Sequence, residues 1–233
     1  MNRPIRLWAA AAGIALACAI GLLLGMHSRP DDAAFGRRVH RYILAHPEVV
    51  AEAAEELRLA PVRALVETPF ADAWAGNPHG DVTLVMFTDY NCPYCRASAP
   101  EIDRLLASDP KVKVVWREMP VLGPGSDQAA AAALAAAKAG KYRAFHSALF
   151  SGGHPDKDGI AAAARAVGLS PDCLVAGGKA PEVQAEIATN LSIAHRLGIS
   201  ATPFFIIGNR THEGALDYDA LAAAVAEARA GAQ

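Results

Sequence analysis

The first pattern along the chain is an apolar run near the amino terminus. Residues 7–26 are uncharged and mostly apolar, and a short basic stretch, residues 2–6, precedes them. As a helix this run would be about 30 Å long, which matches the hydrocarbon core of a bilayer. It is longer than the apolar region of an ordinary signal peptide, and no small-x-small cleavage site follows it. Residues 1–28 are therefore predicted to be an uncleaved membrane anchor, with a cleaved signal sequence as the alternative.

Residues 29–68 predict a polar linker followed by two short helices that meet at His46-Pro47. A proline cannot continue a preceding helix, but it fits the first position of a new one. In the second helix apolar residues recur at i, i+3, i+4 and i+7, and glutamates occupy the other faces. A stripe this narrow can pack against the main domain or against another chain. Residues 36–60 are therefore a candidate region for homo-oligomer formation.

From residue 69 to residue 233 the pattern changes to that of an α/β domain. Residues 82–87 are apolar on both faces apart from Thr83, which predicts a central strand covered on both sides. Apolar and charged residues alternate over 111–117, which predicts a second strand. With a helix between them, these strands form a right-handed parallel βαβ unit. An edge strand is predicted over 70–74.

The second half of this domain begins with an interruption of the sheet. Residues from about 126 to 197 are alanine-rich and show helical periodicity broken by glycines, which predicts a helical insertion. Phe204–Ile207 resumes the sheet, a turn over 208–210 predicts a hairpin, and Asp217 is placed to cap a final helix. The predicted fold class is α/β, with a βαβ half and a ββα half separated by the insertion.

Composition limits the functions that this domain can have. The formal net charge is -2 at pH 7, so no basic field is available and nucleic acid is not an expected partner. The histidines show no metal-ligand spacing and are predicted to lie on the surface or on helix faces, His146 among them. No metal and no cofactor are predicted.

The chemistry of the chain is concentrated in residues 89–95, Asp-Tyr-Asn-Cys-Pro-Tyr-Cys, at the end of the central strand. A strand that delivers Cys92 and Cys95 to the start of a helix is typical of a dithiol redox site. The helix amino terminus favours an anion, and the thiolate is the form that attacks disulfides. Half of a zinc site and a structural disulfide are the alternatives. Zinc would need two more ligands, and neither Cys18 nor Cys173 has a partner at ligand spacing.

A second motif stands immediately before the strand of the hairpin. Thr202-Pro203 precedes Phe204, and a proline is tolerated at the first residue of a strand. The Cys-Pro-Tyr-Cys motif, the insertion and this Thr-Pro pair together resemble the DsbA-like branch of the thioredoxin superfamily, over about residues 70–230. The sequence around the cysteines, with the Pro-Val-Leu-Gly stretch at 120–123, looks most like periplasmic proteins of the ScsC type.

The resemblance implies a role for each motif residue. Cys92 would be the nucleophile, partly exposed at the helix start, and Cys95 would resolve the mixed disulfide from a more buried position. Pro203, which is cis in the family, would lie against the sulfurs and present the backbone of the preceding residue to an extended substrate. The residues implied to shape the site are Pro93, Tyr94, Thr202 and Pro203.

This chain departs from the family at the position where many relatives carry an acid. Six residues before the first cysteine stands Met86, which cannot carry a proton. Asp89 and Glu118 are the candidates for a proton relay to the buried thiol. The simpler interpretation is that Asp89 orders the turn and that Glu118 ends a strand in solvent.

Together these features predict a periplasmic thiol–disulfide oxidoreductase that oxidises or isomerises disulfides in cysteine-containing proteins. Positive charge on the short amino-terminal side places the domain across the inner membrane, in an oxidising compartment. Residues 7–26 would hold it at that membrane, and a membrane redox partner would recycle it. Two other functions are open at this stage. One is a dedicated reductant or electron carrier for one client protein, and the other is a chaperone-like binding protein.

Overall fold

The computed structural model describes residues 32–231. The predicted membrane anchor falls on residues 1–28 and therefore lies outside the described residues. Within 32–231, no single helix is long and apolar enough to cross a membrane, and one bent pair of helices, at 115°, meets the requirement only jointly. Three helices come first in the described part of the chain: α1 Asp32–Ala45, α2 Pro47–Leu59 and α3 Arg63–Glu67. The predicted break at His46-Pro47 is confirmed.

The described residues divide into two compact units, residues 32–51 and residues 52–231. In the first unit the aromatic side chains of Phe35 and Tyr42 are more than half exposed. In the second unit Leu59, at the end of α2, is buried in an apolar cluster together with Val62. The second helix therefore contributes its last turn to the core of the second unit.

A five-stranded mixed sheet forms the centre of the second unit. Its strands are β1 Trp74–Gly76, β2 Val82–Thr88, β3 Val112–Glu118, β4 Phe204–Ile207 and β5 Arg210–Glu213. Their order across the sheet is β1-β3-β2-β4-β5, and only the β2–β3 pair is parallel. The predicted central strand, the parallel βαβ unit and the hairpin are therefore confirmed. Because β2 has a neighbour on each side and is buried on both faces, the residues that follow it are held at the carboxyl end of the sheet.

The predicted edge strand is shifted in the structure. We expected it over 70–74, but β1 begins only at Trp74. The earlier residues form a turn in which the Ala73 N–H donates to the carbonyl of Phe70, and Ala71 has a φ of 46°. A residue with positive φ cannot continue an extended strand, so pairing with β3 starts after the turn.

Helices cover both faces of the sheet. The helix after β2 is α4 Pro93–Ser108, five helices form the insertion between β3 and β4, and the chain continues into a final helix. The later helices are α5 Pro124–Lys138, α6 Tyr142–Ser151, α7 Lys157–Ala166, α8 Pro171–Gly178, α9 Pro181–Arg196 and α10 Tyr218–Gly231. Several helices begin at a proline, which has no N–H to leave unsatisfied in the first turn. The predicted α/β fold with a helical insertion is thus confirmed.

The two faces of the sheet bury different apolar clusters. On one face Leu84 and Met86 of β2 pack with α4, α10 and the insertion. On the opposite face Val85 and Phe87 pack with α3 and the end of α9. Full burial of a side chain of this size stabilises the fold by roughly 1.5–3 kcal/mol. The cysteines belong to the first cluster, so the insertion covers the same face of the sheet as the dithiol.

Candidate active site

The cysteine motif lies where β2 ends and α4 begins. Cys92 is the N-cap residue of α4, in an extended conformation, and Pro93 is the first helical residue. A helix amino terminus presents unpaired N–H groups and the positive end of the helix dipole, which stabilise negative charge. The backbone N–H of Cys92 donates to the carbonyl of Asp89 at 3.1 Å, which closes the turn before the helix. The local sequence therefore places the first sulfur at a helix end that favours a thiolate.

The loop before β4 forms the part of the site that contacts the cysteine motif. The peptide bond between Thr202 and Pro203 is cis. The Thr202 carbonyl oxygen accepts a hydrogen bond from the Cys92 thiol at a sulfur–oxygen distance of 3.1 Å. Both Cys92 and Cys95 are free thiols in this structure. The fold thus brings the two motifs together although they are 110 residues apart along the chain.

The expectation that Cys92 is partly exposed is wrong for this structure. Cys92 is only 4% exposed and Cys95 is fully buried. The sulfur of Cys92 contacts the Thr202 carbonyl, and the residue belongs to the apolar cluster on the dithiol face of the sheet. Tyr94, between the two cysteines, is 64% exposed. Tyr94 is therefore the exposed aromatic residue between the two cysteines.

Cys95 lies in a strongly desolvated position. Burial raises the pKa of its thiol to about 12, and the neighbouring Cys92 contributes in the same direction. The backbone at Asp89 and the hydroxyls of Thr202 and Thr88 partly oppose this shift, because they can donate to a thiolate. At neutral pH the thiol form of Cys95 therefore dominates, and deprotonation requires a nearby group that accepts the proton.

The carboxylate of Asp89 accepts four hydrogen bonds that order the turn around the cysteine motif. Its Oδ1 accepts from the Asn91 N–H at 2.8 Å and from the Ser126 hydroxyl at 2.6 Å. Its Oδ2 accepts from the N–H groups of Val121 and Leu122 at 2.8 Å and 3.0 Å. One carboxylate thereby fixes the loop between β3 and α5 against the cysteine motif. With four donors already on its oxygens, Asp89 has no lone pair directed at the buried thiol.

Glu118 differs from what we expected, because the end of β3 is covered by the insertion. The residue is fully buried rather than exposed to solvent. Its Oε1 accepts from the hydroxyl of Tyr142 at 2.7 Å and from that of Tyr90 at 3.1 Å. Burial raises the pKa of Glu118 to about 8, the two tyrosines lower it, and Asp89 raises it again. A carboxyl group in this environment exchanges its proton near neutral pH.

His146 lies on α6, as the helix-face prediction expected, but it is buried, so the surface alternative is wrong. It is 3% exposed, and its Nδ1 lies 2.9 Å from the hydroxyl of Tyr90. Burial lowers the pKa of His146 to about 3, so the ring is neutral at physiological pH. Sequence reasoning missed this polar cluster because Tyr142 and His146 come from the insertion, at positions that look like ordinary amphipathic helix residues. Their spacing of four residues, one helical turn, was the available signal.

Cys173 lies in the helical insertion, and Met86 packs in the same apolar cluster as the two cysteines. Cys173 is an exposed free thiol in the first turn of α8, where the side chain of Ser170 caps its N–H. Met86 is buried beside Trp116 in the β2–β3 register. Among residues 32–231, no group of three or more histidine, cysteine or acidic side chains is arranged to hold a metal ion.

Comparison with known proteins gives two family matches. The model of the DSBA-like thioredoxin domain matches residues 83–226. The model of the copper resistance protein ScsC N-terminal domain matches residues 31–59. The two matches together include α1, α2 and most of the second unit, with both cysteines.

Solved structures show the same relationship. A thioredoxin-like oxidoreductase from Silicibacter pomeroyi DSS-3 is 46% identical, with a TM-score of 0.68, over 71% of this chain and 96% of that chain. The thiol–disulfide exchange protein alpha-DsbA2 from Wolbachia pipientis is 28% identical, with a TM-score of 0.71, over 76% and 97%. The catalytic domain of ScsC from Proteus mirabilis is 28% identical, with a TM-score of 0.68, over 75% and 98%.

The chain is also similar to part of several longer curated proteins. Na(+)/H(+) antiporter NhaA 3 from Salinispora tropica is 31% identical over 170 residues, which are 71% of this chain and 26% of that protein. The chain thus spans about a quarter of the length of the curated relatives that it matches. The family match over most of the second unit agrees with its fold and with the position of its dithiol. The chain belongs to the DSBA-like thioredoxin domain family, and within it to the thiol–disulfide oxidoreductases of the DsbA and ScsC type.

Proposed function

We propose that this protein exchanges disulfides with cysteine-containing substrate proteins in the periplasm, through Cys92-Pro93-Tyr94-Cys95. The observation that carries the proposal is the 3.1 Å contact between the Cys92 sulfur and the Thr202 carbonyl oxygen, at the amino end of α4. The Cys92 sulfur lies at a helix amino terminus, where the N–H groups point toward incoming groups, and the adjacent backbone of Thr202 is available to pair with an extended substrate. The site therefore supplies both a nucleophile and a docking edge.

The exchange proceeds through a mixed disulfide. In the oxidising direction a substrate thiolate attacks Cys92 of the disulfide form, and the electron pair of the broken S–S bond goes to Cys95, which takes up a proton. A second substrate thiolate then attacks the substrate sulfur that is bound to Cys92, which releases reduced Cys92. In an isomerisation, the Cys92 thiolate instead attacks a substrate disulfide and is later displaced by another thiol of the same substrate. The reduction potential of the pair decides which direction prevails.

Exposed apolar side chains surround the entrance to this site. Tyr94 is 64% exposed, Val121 is 44% exposed and Leu122 is 49% exposed. Asp89 holds the backbone of Val121 and Leu122 close to the motif through its two hydrogen bonds. An apolar surface next to the nucleophile suits unfolded or partly folded protein, which exposes apolar residues around its cysteines. We therefore expect extended protein segments, rather than small thiols, to be the preferred substrates.

The first test is to trap the mixed disulfide. We expect Cys95→Ala to accumulate a covalent adduct between Cys92 and a substrate protein that carries non-native disulfides. The Cys92 thiolate attacks a substrate disulfide and releases one substrate thiolate, and no second thiol of the site can then displace the bound substrate. Non-reducing electrophoresis and mass spectrometry of the adduct provide the measurement. The control is Cys92→Ala/Cys95→Ala, which should give none. Absence of any adduct with Cys95→Ala would contradict the proposed exchange.

We further propose that residues 7–26 hold the protein at the inner membrane with the dithiol on the periplasmic side. The support is the apolar run with its basic amino-terminal flank, together with the similarity of this chain to a periplasmic thioredoxin-like protein from Salmonella enterica. A membrane redox protein would then restore the active form of the cysteine pair. An anchored domain meets such a partner in two dimensions rather than three, which raises their effective concentration.

Residues 36–60 are the proposed region of self-association. Within residues 32–51 the apolar side chains of Phe35, Val39 and Tyr42 are exposed, which suits contact with a second copy of the chain. We expect the intact protein to sediment as an oligomer, and a form that lacks residues 1–51 to sediment as a monomer. Equal subunit numbers for the two forms would contradict this assignment. The second unit keeps its own core in the shortened form, so its folding is a direct control.

A further inference from the structure

Three buried polar atoms of Thr88, its strand neighbour Glu118 and the Thr202 loop have no hydrogen-bond partner in the described part of the chain. They are the hydroxyl oxygens of Thr88 and Thr202 and the Oε2 atom of Glu118. Leaving a buried polar group unpaired costs about 1–3 kcal/mol, so such atoms are uncommon without a function. Both hydroxyls can donate to the Cys95 thiolate. Two of the unpaired groups therefore lie beside the buried sulfur of the dithiol, and the third belongs to the strand neighbour of Thr88.

Thr88 is the residue that relates Cys95 to Glu118: it can donate to the Cys95 sulfur, and it neighbours Glu118 in the sheet. It is the last residue of β2, and in the parallel register it lies directly beside Glu118, the last residue of β3. Paired residues on neighbouring strands project to the same face, and the strands are about 4.8 Å apart. Both side chains are fully buried on this face. The Thr88 hydroxyl can thus donate to Cys95, and its residue is the strand neighbour of Glu118. The two side-chain oxygens are not hydrogen-bonded to each other in this structure, so the Thr88 side chain must turn toward Glu118 for a proton to pass.

We infer that the Thr88 hydroxyl transfers the proton of the Cys95 thiol to the Oε2 atom of Glu118 when Cys95 resolves a mixed disulfide. A threonine hydroxyl has one donor and two acceptor positions, so it can accept from a thiol while it donates to a carboxylate. The inference rests on the proposed function and extends it with a positioning residue, Glu118, that acts through another side chain. It fills the role that Met86 cannot supply.

The resolution of the mixed disulfide moves two protons and one electron pair. The Cys95 S–H proton moves to the Thr88 oxygen, and the Thr88 O–H proton moves to Glu118, which becomes neutral. The Cys95 thiolate attacks the Cys92 sulfur, the bond between Cys92 and the substrate sulfur breaks, and the substrate leaves as a thiolate that takes its proton from water. The substrate sulfur carries away the electron pair and is reduced, while the cysteine pair is oxidised. In the oxidising direction each transfer is reversed.

The groups that face Glu118 set the pH range of this transfer. Tyr90 and Tyr142 donate to its other oxygen, His146 contacts Tyr90 as a neutral ring, and Asp89 adds a negative charge nearby. Because burial raises the pKa of Glu118 to about 8, the fraction of carboxylate able to accept a proton grows as the pH rises toward 8. The resolution rate should therefore rise with pH through this range and level off above it.

The test measures the resolution step directly, with oxidised glutathione as the probe. The reduced protein is mixed with oxidised glutathione, quenched in acid at intervals and analysed by mass spectrometry, from pH 6 to pH 9. We expect Thr88→Val to form the glutathione adduct at the wild-type rate and to resolve it on the order of tenfold to a hundredfold more slowly, without the inflection near pH 8. Thr88→Ser should keep the wild-type profile, because it keeps the hydroxyl. The matched control is Thr83→Val, in the same strand, which should leave the rate unchanged.

Glu118→Gln provides a second route to the same conclusion. It should slow resolution to a similar extent and remove the inflection, and Thr88→Val combined with Glu118→Gln should be no slower than either change alone. A wild-type profile for Thr88→Val, or fully additive effects in the double variant, would overturn the inference. If Thr88→Val does not fold, an inflection retained in Glu118→Gln overturns it equally.

This experiment also separates the inference from the proposed function. If the wild-type protein forms no glutathione adduct at Cys92, the proposed exchange reaction fails. If the adduct forms normally but its resolution is insensitive to Thr88 and Glu118, only the proton route fails.

Discussion

Replacing Cys92 with alanine should reduce thiol–disulfide exchange to the uncatalysed background. The change removes the only sulfur of the motif that lies at the start of α4 and contacts the Thr202 backbone. Cys95 is fully buried and its pKa is raised to about 12, so it cannot take over the attack on an external disulfide. The measurements are reactivation of scrambled ribonuclease and oxidation of reduced ribonuclease, which also distinguish isomerase from oxidase activity.

The matched control is Cys173→Ala. Cys173 is an exposed free thiol in α8, apart from the dithiol, and its removal should leave both activities at the wild-type level. The pair of variants also separates an enzyme from a chaperone-like protein. If Cys92→Ala still suppresses the aggregation of a reduced client as well as the wild type does, and the wild type shows no exchange, the chaperone function is favoured. Retention of exchange by Cys92→Ala would refute the assignment of the nucleophile.

Replacing Arg117 with methionine should destabilise the second unit by about 3–5 kcal/mol, because it leaves several buried acceptors without a donor. The Arg117 side chain is 2% exposed and lies on the face of the sheet opposite the dithiol. Its guanidinium donates to Glu186 of α9 at 2.6 Å and to the Val66 carbonyl at 3.1 Å. Further bonds reach other acceptors around it: Leu65 O, Thr68 O and Asn190 Oδ1.

Urea unfolding, followed by far-ultraviolet circular dichroism, measures this loss. The control is Arg104→Met, since the Arg104 side chain is 63% exposed and pairs with Glu101 at the surface. An exposed ion pair contributes about 0–1 kcal/mol, so the control should shift the midpoint only slightly. A loss below about 1 kcal/mol for Arg117→Met would show that the buried guanidinium is not what ties α3 and α9 to β3.

The local elements of the fold could be predicted because their signals are short in range. The apolar residues of β2, the prolines that begin α2 and α4, and Asp217 before α10 each act within a few residues of their position. The edge strand was misplaced because nothing in residues 70–74 shows the positive φ of Ala71. That conformation depends on how the segment packs against the sheet.

The cysteine motif could likewise be found from the sequence, because its chemistry lies in a spacing of three residues at a strand–helix junction. The chain by itself determined that Cys92 begins a helix and that Cys95 follows one turn later. It also indicated Thr202-Pro203 as the partner motif, through a family resemblance rather than through any local signal. Only the tertiary structure places the Thr202 carbonyl 3.1 Å from the Cys92 sulfur.

The burial of the polar side chains near the dithiol was decided by the tertiary structure alone. From sequence, Glu118 looked like a strand end in solvent and His146 looked like a helix-face residue, yet both are buried where α6 of the insertion covers the end of β3. The charge state of an acid depends on how completely distant segments exclude water from it, and no local pattern encodes that exclusion. The sequence by itself therefore determined which sulfurs can react. The packing of the insertion on the sheet decided which polar groups are buried near them and can exchange a proton, because only that packing excludes water from those groups.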